Sequence, residues 1–372
     1  MSDATGTLGV VGAGTMGAGI AQVAIEAGWK VRLHDALPGA VERGRDRIVD
    51  GLRRRAAKRQ LLGAAAAAWV DEACARLTYA PDPASIALGA DLVIEAIVED
   101  LEPKRALFGM LDAAATPATI LATNTSALSV TAIAEAARAH PERVLGLHFF
   151  NPAPILLLVE VIAGARTDPA VVDRATGIVT AWGKTPVRSA DSPGFIVNRV
   201  NRPFTIEALR MLEAGEARVG EIDAAVRADG FSMGPFELMD LVGLDVNLTA
   251  ATGVWDGLGR PERIRPSPIQ AWLVQHRRLG RKSGVGFYRY DPAHDPAPEP
   301  FPHAIARPVR TGRSLAPREI VRRIRSAIAA EAVLARDAGV ASESDIDTAL
   351  WLGAAHPEGP FAWRKRNAEV GV

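Results

Sequence analysis

Along the first half of the chain, short apolar runs rich in β-branched residues alternate with longer stretches whose apolar positions recur at helical spacing. That alternation predicts strands joined through helices, hence a parallel sheet with helices on both faces. The expected strands are Leu8–Val11, Val31–His34, Leu92–Ala96, Ile120–Ala122, Val144–Leu147 and Leu156–Val161. After Ser192-Pro193-Gly194-Phe195 the strand runs stop, and helical periodicity takes over in Arg199–Glu213 and Val219–Asp229. A polar, proline-rich stretch over Asp291–His303 predicts a linker. Beyond it, helices are expected at Pro317–Asp337 and Ser342–Leu352.

The two helical parts repeat one another. Glu207-Ala208-Leu209 matches Glu331-Ala332-Val333, Ile222-Asp223 matches Ile346-Asp347, and Gly234-Pro235-Phe236 matches Gly359-Pro360-Phe361, all at a shift of 124 or 125 positions. One register covering three separate matches implies an internal duplication. The expected fold is therefore an α/β Rossmann-type dinucleotide-binding domain over residues 1–190, an all-α domain over 191–290, and a second, shortened copy of the all-α domain over 303–372.

Composition narrows the partners. The 372 residues are 48 % apolar and 23 % charged, and 43 basic side chains balance 43 acidic ones. A chain with no net charge carries no electrostatic footprint for nucleic acid or an anionic membrane surface. No apolar run approaches the ~20 residues of a membrane span. Cys74 is the only cysteine, which excludes an intramolecular disulfide and a cysteine-rich metal site. With no signal-peptide pattern at the start, a cytoplasmic protein without a metal centre is expected.

The strongest chemical signal lies in the first strand-to-helix turn, Gly12-Ala13-Gly14-Thr15-Met16-Gly17. In a Gly-x-Gly-x-x-Gly turn the first glycine permits the bend, the second lets the backbone approach a pyrophosphate, and the third allows close helix–strand packing. Backbone N–H groups at the helix start then face the phosphates, so Gly12, Gly14, Thr15, Met16 and Gly17 are read as cofactor-binding. Asp35 ends the second expected strand, where a carboxylate accepts from ribose hydroxyls and repels a 2′-phosphate, so NAD is expected over NADP. Thr123-Asn124-Thr125-Ser126 follows a strand at the sheet's carboxyl edge, and its short polar side chains suit either a ligand oxygen or the cap of the next helix. Finally, His148 and Glu160 bracket an otherwise apolar, turn-broken run. Polar groups entering an apolar interior need partners, and the simplest arrangement pairs these two, which suits proton transfer.

Together these segments resemble the signatures of L-3-hydroxyacyl-CoA dehydrogenases, the family that includes 3-hydroxybutyryl-CoA dehydrogenases. The resemblance rests on Gly12–Gly17, Ala96-Ile97-Val98-Glu99, Asn124-Thr125-Ser126, His148-Phe149-Phe150-Asn151-Pro152, Val159-Glu160-Val161, Pro193–Arg199, Gly234-Pro235-Phe236-Glu237 and Gly280-Arg281-Lys282-Ser283-Gly284, in order over residues 7–290. It implies NAD-dependent oxidation of an (S)-3-hydroxyacyl-CoA, with His148 as general base, Glu160 as its orienting carboxylate, and Ser126 and Asn198 on the substrate. It further implies Glu99, Lys104, Asn151 and Lys282 as cofactor contacts and Lys58 as a coenzyme A contact, although Arg53-Arg54-Arg55-Ala56-Ala57-Lys58-Arg59 reads equally well as a solvated helix face. Where the family commonly has Met-Lys before Leu-Val-Glu, this chain has Leu156-Leu157. Relatives acting on free hydroxy acids, of the carnitine or gulonate type, usually carry His-Pro where this chain has His148-Phe149, which favours the CoA ester. A non-catalytic NAD-binding role is the third reading. Because the family dimerises through its helical domain, the second copy is expected either to form an internal pseudo-dimer, as a structural element without chemistry, or to leave a homodimer.

Overall fold

A computed structural model describes residues 5–291, 297, 298 and 314–369. They fall into two units, divided between Ser192 and Pro193.

The first unit is built on eight strands: β1 Thr7–Val11, β2 Lys30–His34, β3 Leu77–Tyr79, β4 Leu92–Glu95, β5 Ile120–Thr123, β6 Val144–Phe149, β7 Leu158–Ala163 and β8 Thr185–Ala190. Their order across the sheet is β3-β2-β1-β4-β5-β6-β7-β8. The order reverses beside β1, where β2 lies on one side and β4 on the other. At such a switch point the carboxyl ends of neighbouring strands open a crevice, the usual ligand position in open α/β sheets. β1 and β4 are almost wholly buried, as their continuous apolar runs require of strands covered on both faces.

Three features depart from the expectation. The sheet is mixed, because β6 and β7 run antiparallel. Only Phe150–Leu157 joins them, too little chain for the crossover of a dozen or more residues that a parallel pair needs. β7 also starts later than Leu156: the Lys184 ammonium donates to the carbonyls of Ala153 and Leu156, at 2.5 and 2.9 Å, and keeps those residues in the turn. β3 and β8 went unforeseen, β3 because it is three residues long and largely exposed, β8 because Pro186 and Arg188 interrupt its apolar pattern.

The second unit is helical. Val197–Val200 leads almost directly into Arg202–Glu213, so the expected helix begins two residues early. Val219–Ala228, Pro235–Val242, Leu244–Gly257 and Pro268–Gln275 follow, and then Pro317–Asp337, Glu343–Gly353 and Pro360–Glu369. Asp223 accepts from the N–H groups of Phe236 and Glu237, at 3.0 and 3.1 Å, and so satisfies the start of Pro235–Val242. Asp347 accepts from Phe361 and Ala362, at 2.8 and 3.0 Å, at the start of Pro360–Glu369. Both devices need the glycine before the proline, since a Cβ on Gly234 or Gly359 would lie 2.3 or 2.2 Å from the aspartate. Arg199 Nε donates to Glu331 at 3.0 Å, and Arg323 Nε to Glu207 at 2.8 Å. The linker expected over Asp291–His303 lies outside the described residues, apart from Asp291 and the strand Ala297–Pro298, which pairs with Tyr288–Arg289.

His356 is buried against Phe204 and Phe231, with Nε2 2.8 Å from Asn201 Oδ1. Burial, reinforced by the charge of Arg325, pushes its imidazole down from 6.5 to about 3. Arg325 itself pairs with Asp229 and Glu358, so no carboxylate remains to favour the imidazolium. The unfolded chain binds a proton that the folded one refuses; this contribution is complete above about pH 6.5 and is lost as pH falls, at ~1.4 kcal/mol per pH unit. Urea unfolding should therefore show a steeper loss of stability between about pH 6.5 and 5 in the wild type than in His356→Gln, by close to one proton. Equal slopes would mean that His356 is already charged in the folded protein.

Candidate active site

The turn after β1 is shaped as its three glycines require. Gly12 has φ +105°, and a Cβ there would lie 2.4 Å from the Ala96 carbonyl oxygen. A Cβ on Gly17 would lie 1.8 Å from the Gly12 oxygen, so only glycine lets the helix Thr15–Glu26 close onto the turn. Gly14 has no heavy atom within 4 Å of a Cβ position, leaving its backbone open to a phosphate. No side chain caps that helix, and no acidic residue sits in its first turn. An uncapped helix start with open N–H groups is an anion site, and it fits a dinucleotide pyrophosphate. Thr15 is exposed beside Gly14, and Met16 is half-buried against the core. Asp35, just past β2, accepts from the N–H groups of Ala13 and Leu37 at 2.7 and 2.9 Å, so its carboxylate is fixed at the turn's rim.

His148 and Glu160 are direct cross-strand partners in β6 and β7. The His148 Nδ1 lies 2.6 Å from Glu160 Oε2, Glu160 is wholly buried and His148 is 6 % exposed. A buried carboxylate facing a ring nitrogen at that distance fixes the proton on Nδ1 and leaves Nε2 as the basic atom. The Phe150 ring lies 4.5 Å from the imidazole, centroid to centroid.

Beyond β4 and β5 the polar residues form one network. Glu99 Oε1 accepts from the Thr125 hydroxyl (2.7 Å), from the Ser126 N–H (2.8 Å) and hydroxyl (3.2 Å), and from the Ala127 N–H (3.1 Å). Burial alone would raise the Glu99 carboxyl, but the Thr125 hydrogen bond, the Lys104 charge and the Ser126 N–H outweigh it and hold it below the usual range. Lys104, expected at the cofactor, is buried to 1 % exposure, with Nζ 2.5 Å from Glu95 and 3.3 Å from Glu99. Its effect on the site therefore runs through Glu99. Glu95 is a further member of the network that the sequence pattern does not single out. It accepts from Lys104, from the Ile97 N–H at 2.7 Å and from the Thr123 hydroxyl at 2.7 Å, with no exposure. Its signal was an acidic residue closing the apolar run Leu92-Val93-Ile94. Asn124 Oδ1 accepts from the Phe149 N–H at 2.8 Å, tying the Ser126 loop to the residue after His148.

Lys58 and Asn151 share a cleft of about 310 Å³ with Thr15, lined also by Arg54 and Pro152. The helix Ala40–Lys58 supplies its basic wall. The other two expected residues belong to the second unit: Asn198 lies in the helix Val197–Val200, and Lys282 pairs there with Asp245 at 2.5 and 2.7 Å. Among the described residues, no helix is long and apolar enough to cross a membrane.

The family model for the NAD-binding domain of 3-hydroxyacyl-CoA dehydrogenases matches residues 7–192, and that for their C-terminal domain matches residues 194–290. The chain is 37 % identical to 3-hydroxyadipyl-CoA dehydrogenase of Escherichia coli K12, over 96 % of this chain and 90 % of the relative. It is 42 % identical to 3-hydroxybutyryl-CoA dehydrogenase of Mycobacterium tuberculosis, over 78 % of this chain and all of that protein. A crystal structure of 3-hydroxybutyryl-CoA dehydrogenase from E. coli K12 superposes with a TM-score of 0.84 at 36 % identity, covering 98 % of this chain and 92 % of that one.

Removing Lys104 would strand Glu95 as an unpaired buried carboxylate. Lys104→Met should cost ~3–5 kcal/mol of unfolding free energy and weaken NADH binding through the released Glu99, read by denaturant melts and by fluorescence titration. A loss below about 1 kcal/mol would show that the Ile97 N–H and the Thr123 hydroxyl satisfy Glu95 without the cation.

Proposed function

The chain belongs to the 3-hydroxyacyl-CoA dehydrogenase family, whose coenzyme is NAD, and from that premise we propose that it oxidises (S)-3-hydroxyacyl-CoA to 3-oxoacyl-CoA with His148 as general base and Glu160 as its partner. The observation that carries the reading is the 2.6 Å contact between His148 Nδ1 and a fully buried carboxylate.

That contact dictates the proton path. With Nδ1 donating to Glu160, Nε2 takes the proton of the 3-hydroxyl, and the imidazolium so formed is stabilised by a carboxylate at hydrogen-bond distance in a water-poor interior. Bound NAD supplies the acceptor for the hydride leaving carbon 3. In reduction of a 3-oxoacyl thioester, His148 returns the proton to the oxygen. Ser126 and Asn198 are assigned to the substrate oxygen, and Glu99 sets the Ser126 hydroxyl through its contacts with the N–H and hydroxyl of that residue. Asp35 is assigned to the ribose hydroxyls, and Gly12, Gly14, Thr15, Met16 and Gly17 to the pyrophosphate. Asn151, Lys282 and Lys104, the last acting through Glu99, complete the cofactor site. Lys58 is assigned to coenzyme A, supported by the basic wall of its cleft. A catabolic place in fatty-acid or aromatic-acid breakdown, in the cytoplasm, fits this chemistry.

The described residues 314–369 are read as the second copy of the helical unit. Two observations support this. Asp223 and Asp347 hold the starts of equivalent helices in the same way. The Arg199–Glu331 and Arg323–Glu207 pairs exchange roles under the shift of 124 positions, as the two halves of a pseudo-two-fold contact must.

Glu160→Gln and His148→Gln should each lower kcat by ~10²–10⁴-fold while leaving the Kd for NADH within about threefold of wild type. Retained activity in His148→Gln would remove the base assignment. Acetoacetyl-CoA with NADH should be turned over well, and carnitine or gulonate with NAD hardly at all. The reverse preference would place the chain among dehydrogenases of free hydroxy acids.

A further inference from the structure

Four arginines are buried among the described residues: Arg143, Arg199, Arg202 and Arg325. Three have carboxylates, since Arg143 pairs with Asp112, Arg199 with Glu331, and Arg325 with Asp229 and Glu358. Arg202 has none. Its Nη2 donates to the Asn198 carbonyl oxygen at 3.2 Å, its Nε is buried without a partner, and the residue is 6 % exposed. Burial pushes the guanidinium down to about 10, which still leaves it charged at neutral pH. A buried cation without a counter-ion is costly to keep, and retention of one points to an anion that arrives from outside the chain.

The backbone says where that anion would sit. Asn201 has helical dihedrals (φ −81°, ψ −5°), its N–H bonds to the Val197 carbonyl at 3.0 Å, and the helix runs through it from Val197 into Arg202–Glu213. Asn198 and Arg202 are thus spaced i, i+4, on one face of the helix and about 6 Å apart along its axis. With Asn198 on the oxygen of carbon 3, Arg202 stands one turn further along. The thioester leaves carbon 3 on one side and the rest of the acyl chain on the other, and a six-carbon diacid carries its second carboxylate three bonds beyond carbon 3.

We propose that Arg202 is a specificity residue that receives the distal carboxylate of a dicarboxylic 3-hydroxyacyl-CoA. A guanidinium fork matches a carboxylate with two parallel hydrogen bonds, and the orphaned Nε supplies one of the donors. The proposal rests on the assignment of Asn198 to the substrate and names the class of acyl chain which that site selects. A terminal methyl in the same place would leave the guanidinium desolvated and unpaired, so the site rejects a simple acyl chain as well as accepting a diacid.

The test compares kcat/KM for 3-hydroxyadipyl-CoA and 3-hydroxyhexanoyl-CoA, which differ only at carbon 6. Wild type should favour the diacid by ~10- to 100-fold, the worth of hydrogen bonds to a charged group. In Arg202→Met the ratio should collapse to about one or invert, and Arg202→Lys should restore part of it. A general structural defect would lower both values together and leave the ratio intact, which would overturn the proposal, as would a wild-type preference for hexanoyl. If Arg202→Met fails to fold, adipyl-CoA and hexanoyl-CoA as competitive inhibitors of the wild type decide the matter: tighter inhibition by adipyl-CoA supports the proposal, and equal or weaker inhibition overturns it. Turnover of acetoacetyl-CoA without preference for the diacid would sink this inference alone, whereas turnover of no CoA ester would sink the assignment beneath it.

Discussion

Glu160 has no contact with solvent, and the first unit is arranged so that this carboxylate meets one imidazole nitrogen at hydrogen-bond distance. An unpaired charge in that position would be expelled or neutralised, so the pair exists only while β6 and β7 stay in register. A slip of one residue would turn His148 to the opposite face of the sheet from Glu160. Several other features hold that register. Phe150–Leu157 is short enough to force an antiparallel return, Lys184 pins two carbonyls of the connection, and Asn124 grips the strand just after His148.

The same economy governs the neighbouring crevice. Glu95 is a second fully buried carboxylate, and its neutralisation by Lys104 links β4 to the helix Leu101–Ala114. Because the single ammonium of Lys104 also reaches Glu99, the charge that stabilises the core orients the Ser126 loop as well. Fold stability and site geometry are coupled here through one cation, and a substitution at either carboxylate disturbs both.

The elements that the amino-acid order revealed were those whose residues carry their own reason. Gly12 and Gly17 answer separate steric demands of the turn and Gly14 leaves its backbone open, so the spacing of the three carries its own reason in the sequence. His148 and Glu160 stood out as polar groups at the ends of an apolar run, and their pairing followed from the need of each for a partner. What stayed hidden depended on packing between distant segments. Glu95 gave only a faint hint, because its partners Lys104 and Thr123 are nine and twenty-eight residues away. The burial of Lys104 is equally hidden, since nothing in Glu102-Pro103-Lys104-Arg105 distinguishes a core lysine from a surface one. The antiparallel turn of the sheet was likewise missed, since alternation of strands and helices elsewhere suggested crossovers throughout.

The crossed pairs Arg199–Glu331 and Arg323–Glu207 belong to a single polypeptide. In a contact between separate molecules, dilution would separate the partners and occupancy would follow protein concentration. Here both members of each pair lie on one chain, so the contact does not follow protein concentration. If the two helical parts are copies of one unit, as proposed, each half is free to drift in sequence without having to remain complementary to itself. An asymmetric residue such as His356, opposite Asn201, is the kind of feature that such a tethered contact permits and that a contact between two identical copies would have to repeat.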